Sequence, residues 1–297
     1  MTGISFDGKP VLDFYDSPQM RQVVEAAFEG DAHTATQQLK ERKIRYFSNP
    51  ITEKKKVTGI IILIMDITEQ EQTEKMRREF SANVSHELKT PLTSISGYAE
   101  LMENHMVMPE DIPVFAAKIH KEASRLLSLV NDIIKVSRLD DNEVYFKKEN
   151  VDLMELAEEV LTRLEPMAEK QEVTVEITGE HLCYFASRHM MNDLLYNLME
   201  NGIKYNKKGG SVLVQIGEKK GYPSVSVKDT GIGVPMKYQS RIFERFFRVD
   251  KSHSKQTGGT GLGLSIVKHV VEYYGGYIEI HSKPGEGTEI ITYLGEK

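Results

Sequence analysis

Residues 68–102 of this 297-residue chain read TEQEQTEKMRREFSANVSHELKTPLTSISGYAELM. Apolar residues recur every three or four positions and no glycine occurs before Gly97, so the segment predicts one long amphipathic helix. Thr68 and Glu71 have the spacing of a capping box at its start. The apolar stripe consists of Met76, Phe80, Val84, Leu88, Leu92, Ile95, Ala99 and Met102.

A second helix is predicted after a break at Met108 to Pro113. Its apolar positions follow a heptad spacing and comprise Ile119, Ala123, Leu126, Val130, Ile133 and Ser137. Two helices with little else to cover their stripes cannot bury them alone, whereas two such hairpins together form a four-helix bundle. We therefore expect a homodimer.

The segments on either side of this hairpin have different patterns. Residues 1–67 predict one helix, between Ser17 and Gly30, followed by three strands of a small antiparallel sheet. From about Val144 onward, shorter helices alternate with strands, which predicts an α/β layer domain with a mixed sheet. The predicted division is therefore 1–67, 68–143 and 144–297.

Composition excludes some classes of function. The formal net charge is −6, so no broad basic field attracts nucleic acid, and we expect none as a partner. The run from Gly59 to Met65 is far shorter than the ~20 residues of a membrane helix, and no signal peptide opens the chain. The single cysteine, Cys183, lies in an apolar setting that predicts a core position in a reducing compartment. We expect a cytoplasmic protein or the cytosolic part of a membrane-anchored sensor.

His86 lies on the face of the long helix opposite the apolar stripe, because it is two positions from both Val84 and Leu88. A lone exposed histidine is usually only a solvated residue. Here Glu87 adjoins it, and Pro91 follows inside the helix at a cost of about 3 kcal/mol. The proline predicts a bend beside a functional histidine, with Thr90 on the same face one turn on.

Four polar residues share one face of a helix that begins after Ser187, namely Asn197, Asn201, Lys204 and Tyr205. Amide oxygens are hard ligands that suit Mg²⁺ beside phosphate oxygens. A plain polar surface face is the alternative interpretation.

Two glycine loops follow. Asp229 ends an alternating strand and enters the loop to Gly233, where its carboxylate can accept a hydrogen bond from an adenine amino group. Gly258 to Leu264 precedes the helix predicted from Ser265, whose unpaired amides favour phosphate. Each signal is weak alone, since such loops also occur in ordinary turns and linkers. No P-loop lysine accompanies them, which argues against that nucleotide-binding fold.

Five motifs occur in order, and together they resemble a sensor histidine kinase over residues 68–297. They are Phe80-Ser-Ala-Asn-Val-Ser-His86-Glu-Leu-Lys-Thr-Pro-Leu92, Asn197-Leu-Met-Glu-Asn201-Gly-Ile-Lys-Tyr205, Asp229-Thr-Gly-Ile-Gly233, Phe243-Glu-Arg-Phe-Phe247 and Gly259-Thr-Gly-Leu-Gly-Leu264. The resemblance implies a dimeric phosphotransfer bundle followed by an ATP-binding domain of the type shared with gyrase and Hsp90.

The resemblance also implies roles for single residues. His86 matches the phosphoacceptor, Glu87 its acid/base neighbour, and Thr90 the residue linked to phosphatase activity. ATP and Mg²⁺ are the implied cofactors, with Asn201 as the metal ligand. The residues that match nucleotide contacts are Asn197, Asn201, Lys204, Tyr205, Asp229, Gly231, Gly233, Arg248, Gly259, Thr260, Gly261, Leu262, Gly263, Leu264 and Thr288.

The implied function is autophosphorylation of His86, transfer to an aspartate on a response regulator's receiver domain, and phosphatase activity toward that regulator. An ATP-gated dimeric switch without catalysis and an ATPase of the gyrase or Hsp90 kind are the alternatives. Residues 1–67 look like the second half of a PAS sensor domain. Either ligand binding or a structural cap on the long helix would fit that segment.

Overall fold

The computed structural model describes residues 17–140, 147–249 and 259–295. It divides into two compact units, one ending at Ala82 and the other beginning at Asn83. Each unit is described by itself below. The division into 1–67, 68–143 and 144–297 stays a prediction.

The first unit contains the predicted helix and three-stranded sheet. They are α1 (Pro18–Glu29), β1 (His33–Leu39), β2 (Arg42–Glu53) and β3 (Lys56–Asp66), with the strands antiparallel in the order β1-β2-β3. Ser17 caps α1 by accepting the amide of Met20 at 3.1 Å. Met20, Val23 and Val24 pack with Tyr46 of the sheet to form the core.

The long helix is present as α2 (Thr68–Glu103), but the predicted capping box is wrong. Asp66 accepts the amide of Thr68 at 3.0 Å. The Glu71 carboxylate pairs instead with Lys43 at 2.8 Å and Arg45 at 3.2 Å. Glu71 does not fold back on its own helix because the adjacent strand β2 offers it two cations.

The helix α2 continues through Pro91. The Thr90 hydroxyl donates to the carbonyl of His86 at 3.2 Å. Beyond Glu103, a 3₁₀ turn at Pro109–Asp111 leads into α3 (Ile112–Asp140). Among the described residues, no helix combines the length and apolar character that a membrane span requires.

The apolar residues of α3 fall into a buried group and an exposed group. Leu129, Val136 and Leu139 are buried. A stripe left open in the single chain comprises Leu127, Val130 and Ile134, which are 66%, 37% and 45% exposed.

The predicted α/β layer domain is confirmed. Its elements are β4 (Glu149–Asp152), α4 (Leu153–Gln171), β5 (Thr174–Gly179), β6 (Cys183–Ala186), α5 (Arg188–Lys204), β7 (Ser211–Lys219), β8 (Tyr222–Asp229), α6 (Met236–Gln239), α7 (Gly263–Tyr273), β9 (Tyr277–Lys283) and β10 (Gly287–Tyr293). The mixed sheet has the order β5-β7-β8-β10-β9, and only the β5–β7 pair is parallel. The helices α4, α5 and α7 pack on one another and on this sheet.

The sequence pattern missed a short ladder between β4 and β6. It also placed Cys183 in the core, which is wrong, since this cysteine is exposed. Successive strand residues point to opposite faces, and β6 uses its inward positions for Tyr184 and Ala186, both buried.

Candidate active site

The two asparagines of α5 are fixed by their own helix. The Asn197 side-chain amide donates to the carbonyl of Asp193 at 2.7 Å, and that of Asn201 donates to the carbonyl of Asn197 at 2.8 Å. One donor of each NH₂ group is therefore used within the helix, and the amide oxygen is available to bind a ligand. Asn197 is only 6% exposed, so the alternative of a plain polar surface is wrong for this residue.

The start of α7 lies directly against Asn197. A Cβ atom at Gly263 would lie 2.5 Å from the Asn197 Oδ1 atom, so any side chain at this position would force the asparagine to move. The α7 N-terminus, with its unpaired amides and positive dipole end, is thereby placed beside the asparagine pair. The helix begins at Gly263, two residues before the predicted start.

Lys204 and Tyr205 end α5 beneath the second glycine loop. A Cβ atom at Gly259 would lie 3.1 Å from the Tyr205 hydroxyl and 3.2 Å from the Lys204 Nζ atom. Burial lowers the pKa of Lys204 and raises that of Tyr205. A phosphate group at this position would stabilise the protonated lysine.

Asp229 is held at the end of β8. Its Oδ1 atom accepts the amides of Gly231 at 2.8 Å and Thr288 at 3.2 Å. Burial raises the pKa of Asp229, and these two hydrogen bonds partly offset the effect. Thr288 stands opposite Asp229 in the β8–β10 pairing, and its hydroxyl lies 2.9 Å from that of Ser282.

Glycine is required in the loop after Asp229. A Cβ atom at Gly231 would come within 2.3 Å of the carbonyl of Tyr205. Gly233 has a φ of 66°, in the left-handed region that favours glycine. The loop therefore joins Asp229 to the end of α5, and the two predicted nucleotide motifs meet.

The described part of the second glycine loop begins at Gly259, and Gly258 lies outside the described residues. Gly261 has a φ of 75°, and its carbonyl accepts the amide of Phe246 at 2.8 Å. Leu262 is fully buried. Leu264 lies in the first turn of α7. This part of the loop is anchored to the segment that carries the Phe243–Phe247 motif.

The predicted phosphoacceptor is accessible, and its neighbour contacts the loop region. The His86 side chain is 80% exposed, and its Nδ1 atom lies 3.8 Å from Glu87 Oε1. The other oxygen, Glu87 Oε2, lies 3.5 Å from Arg248 Nη2. Arg248 also donates to the carbonyl of Gly259. The Glu87 carboxylate thus links the histidine to Arg248, which in turn contacts the second glycine loop.

Sequence reasoning missed a set of charged residues on α3 and α5. Arg125 Nη2 lies 3.6 Å from Glu87 Oε2. Asp132 accepts the hydroxyl of Thr260 at 2.8 Å, and burial raises its pKa. Lys135 Nζ lies 2.8 Å from Asp193 Oδ1.

A signal for part of this set was present in the sequence. Arg125 and Asp132 are seven residues apart and therefore share one face of α3. Leu129 and Val136 of the same face are also seven apart, and both are buried. Charged residues on the same helix face as buried apolar residues are expected to contact the element that packs against that face.

Two families match the chain in the order that the motifs predict. The His Kinase A (phospho-acceptor) domain matches residues 76–142. The family described as histidine kinase-, DNA gyrase B- and HSP90-like ATPase matches residues 187–297.

Curated relatives carry corresponding names. The sensor protein kinase WalK of Staphylococcus haemolyticus is 37% identical over 251 residues, which cover 84% of this chain and 41% of the relative. The sensor histidine kinase WalK of Bacillus subtilis is 37% identical over 239 residues, covering 79% and 39%. The chain thus spans about two-fifths of the length of these relatives.

Solved structures show the same fold. The histidine kinase ThkA in complex with the response regulator protein TrrA matches with a TM-score of 0.60 and 26% identity, covering 99% of this chain and 89% of that one. The histidine kinase AdeS of Acinetobacter baumannii matches with a TM-score of 0.59 and 20% identity, covering 71% and 98%. With both domain families in order and curated relatives of that name, the chain belongs to the sensor histidine kinases of two-component systems.

Proposed function

We propose that this protein transfers the γ-phosphoryl group of ATP to His86 and then to an aspartate on a response regulator. The observation that carries the proposal is the Glu87 carboxylate, which lies within 3.8 Å of His86 and 3.5 Å of Arg248. A phosphoryl donor bound at the glycine loop would therefore lie near the acceptor. The names of the curated relatives support the same activity.

Nucleotide binding is assigned to the pocket between α5, the two glycine loops and α7. Asp229 would accept from the adenine amino group, with Thr288 beside it. Lys204, Arg248 and the amides at the start of α7 would face the phosphates. Tyr205 and the glycines of both loops would line the pocket.

The donor set also fits Mg²⁺. The Asn201 amide oxygen is a hard ligand, and the hydrogen bond from its NH₂ group to Asn197 fixes the side-chain rotamer. Asn197 would support the same phosphates. When bound, the metal would neutralise phosphate charge during transfer.

Glu87 determines which histidine nitrogen reacts. Since its carboxylate faces Nδ1, the Nε2 atom of His86 is the nucleophile. Nε2 attacks the γ-phosphorus, the bond from that phosphorus to the bridging oxygen of ADP breaks, and the Nδ1 proton passes to Glu87. In the second step the regulator's aspartate attacks the phosphorus, the N–P bond breaks, and Glu87 returns the proton.

The remaining parts of the proposal are a homodimer, a receiver domain as partner, and phosphatase activity that depends on Thr90. The exposed stripe of α3 supports the dimer, because a large apolar surface on a helix calls for a partner. The solved complex of ThkA with TrrA supports a regulator as partner. The segments 1–67, 68–143 and 144–297 are proposed as PAS-like segment, phosphotransfer hairpin and ATP-binding domain.

Incubation with γ-labelled ATP tests the function. We expect acid-labile label on the protein, and we expect His86→Gln to abolish it while calorimetry shows unchanged ATP binding, because acceptor and pocket lie on different elements. Label that persists in His86→Gln would contradict the assignment. Released phosphate without labelled protein would indicate an ATPase. The absence of both labelled protein and released phosphate would indicate an ATP-gated switch.

A further inference from the structure

We propose that each chain of the homodimer phosphorylates its own His86 and not the histidine of its mate. The inference rests on the proposed function and specifies the substrate of the ATP-binding domain. It is carried by three contacts that join the hairpin to the ATP-binding domain of the same chain.

The first contact is at the acceptor. Glu87 follows His86 on α2, and its Oε2 atom lies 3.5 Å from Arg248 of the same chain. The Arg248 side chain is only 11% exposed, and it also donates to Gly259 of the glycine loop. Within one chain, Arg248 therefore links the glycine loop to the residue next to His86, without any contribution from a second copy.

The other two contacts lie along α3. Thr260 of the glycine loop donates to Asp132 at 2.8 Å. Lys135, one turn further on, pairs with Asp193 of α5 at 2.8 Å. Together with the Glu87–Arg248 contact on α2, these contacts involve both helices of the hairpin and separate elements of the ATP-binding domain. The three contacts therefore define both the position and the rotation of that domain on its own hairpin.

Burial favours this arrangement. Asp193 is 4% exposed, and an ionised carboxylate at that depth requires a charged partner. Lys135 supplies one, and His189 Nε2 lies 3.5 Å from the other carboxylate oxygen. The helix α3 also contacts α7. Its face that carries Asp132 includes the buried residues Leu129 and Val136. Moving the domain to the mate's hairpin would have to replace all of these contacts.

The connection between the two parts is short. Helix α3 ends at Asp140 and β4 begins at Glu149, so the intervening segment can span on the order of 30 Å at most. This reach keeps the ATP-binding domain close to the bundle, and the three contacts above determine which hairpin it docks on.

Two heterodimers, each made by co-expression with a different tag on each chain, test the proposal. The first pairs a His86→Gln chain with an Asp229→Asn chain. The second pairs an unaltered chain with a chain that carries both substitutions. Each heterodimer is purified through both tags, incubated with γ-labelled ATP at a concentration too low to occupy the Asp229→Asn chain, and resolved by chain size.

Reaction within one chain predicts label on the unaltered chain of the second heterodimer and none on the first. Reaction between chains predicts the reverse, with label on the Asp229→Asn chain of the first heterodimer only, and it would overturn the inference. Label in both heterodimers would overturn it as well. If neither heterodimer is labelled although the unaltered homodimer is, one active chain does not suffice for the reaction. That result would also contradict the proposal. An unlabelled homodimer would instead refute the proposed function.

Discussion

The carboxylate of Asp229 is fixed at one of its two oxygens by backbone hydrogen bonds. Its Oδ1 atom accepts two backbone amides, so the other oxygen is the one that faces a ligand. In Asp229→Asn the substituted amide must keep its oxygen toward those backbone donors. Its NH₂ group would then face the adenine amino group, donor against donor.

We expect Asp229→Asn to weaken ATP binding by about 10- to 100-fold, corresponding to loss of a charged hydrogen bond worth about 1.5–3 kcal/mol. Calorimetry measures the affinity.

The substitution should not lower the stability of the fold. Burial raises the pKa of Asp229 in the folded chain, so its contribution to stability falls as the pH rises above the ordinary value of 3.8. A neutral amide removes this penalty at neutral pH, and a lower melting temperature would contradict the argument.

Thr90 offers a second test at a single residue. Its hydroxyl donates to the carbonyl of His86, and its oxygen lone pairs remain available to orient a water molecule. In the proposed mechanism, autophosphorylation uses Glu87 and the ATP pocket and does not need this hydroxyl. We therefore expect Thr90→Ala to label His86 within about twofold of the unaltered chain while slowing dephosphorylation of the regulator.

Thr90→Ser is the matched control for that test, because it keeps a hydroxyl at the same position. It should retain most of the phosphatase rate. Equal losses of labelling and dephosphorylation in Thr90→Ala would mean that the residue only supports the helix.

At the scale of elements, the pair between α3 and α5 can be reversed. Lys135→Asp would bring like charges together at Asp193, and the double variant Lys135→Asp with Asp193→Lys restores attraction. We expect the single variant to slow labelling of His86 by about 5- to 30-fold, equivalent to about 1–2 kcal/mol of coupling, and the double variant to recover most of it. Single-turnover labelling measures both rates.

Lys121→Asp makes the same charge change at an exposed position of α3 and serves as the control. It should leave the rate near that of the unaltered chain. A slow double variant with an unchanged melting temperature would show that the two residues do not act as a pair in the reaction.

The elements differ in how far the sequence predicts them. The helix α2 follows from its apolar periodicity, and α1 and α4 follow from Ser17 and Asp152 at their caps. The sequence could also single out Asn197 and Asp229 for the proposed pocket, since their motifs are local. Contacts such as Thr260 with Asp132 join residues far apart in the chain, and no local pattern specifies them. The local pattern also predicts that Glu71 caps α2. This prediction fails because the partners of Glu71 on β2 are set by tertiary structure.

At the scale of the whole molecule, the open stripe of α3 predicts how two chains associate. Leu127 is 66% exposed in the single chain, so Leu127→Glu leaves the hairpin itself undisturbed but would place a carboxylate in a dimer interface. Each buried leucine contributes about 1.5–3 kcal/mol, and a dimer loses two. We expect sedimentation to show dissociation at micromolar concentrations.

Ser128→Glu introduces the same charge at the next position, which is also exposed, and should leave the dimer intact. Circular dichroism should show unchanged helix content in both variants. Dissociation of both, or of neither, would place the interface on another surface.

The two amides that hold Asp229 also bear on which purine the molecule accepts. Guanine carries an oxygen where adenine carries its amino group, and a carboxylate facing that oxygen has no hydrogen to donate. Protonation would be needed to relieve the repulsion. Although burial raises the pKa of Asp229, the hydrogen bonds from Gly231 and Thr288 favour the ionised form. ATP and GTP share their phosphate contacts, so they differ here only in the base. We expect GTP to be excluded because of unfavourable pairing at one atom of guanine.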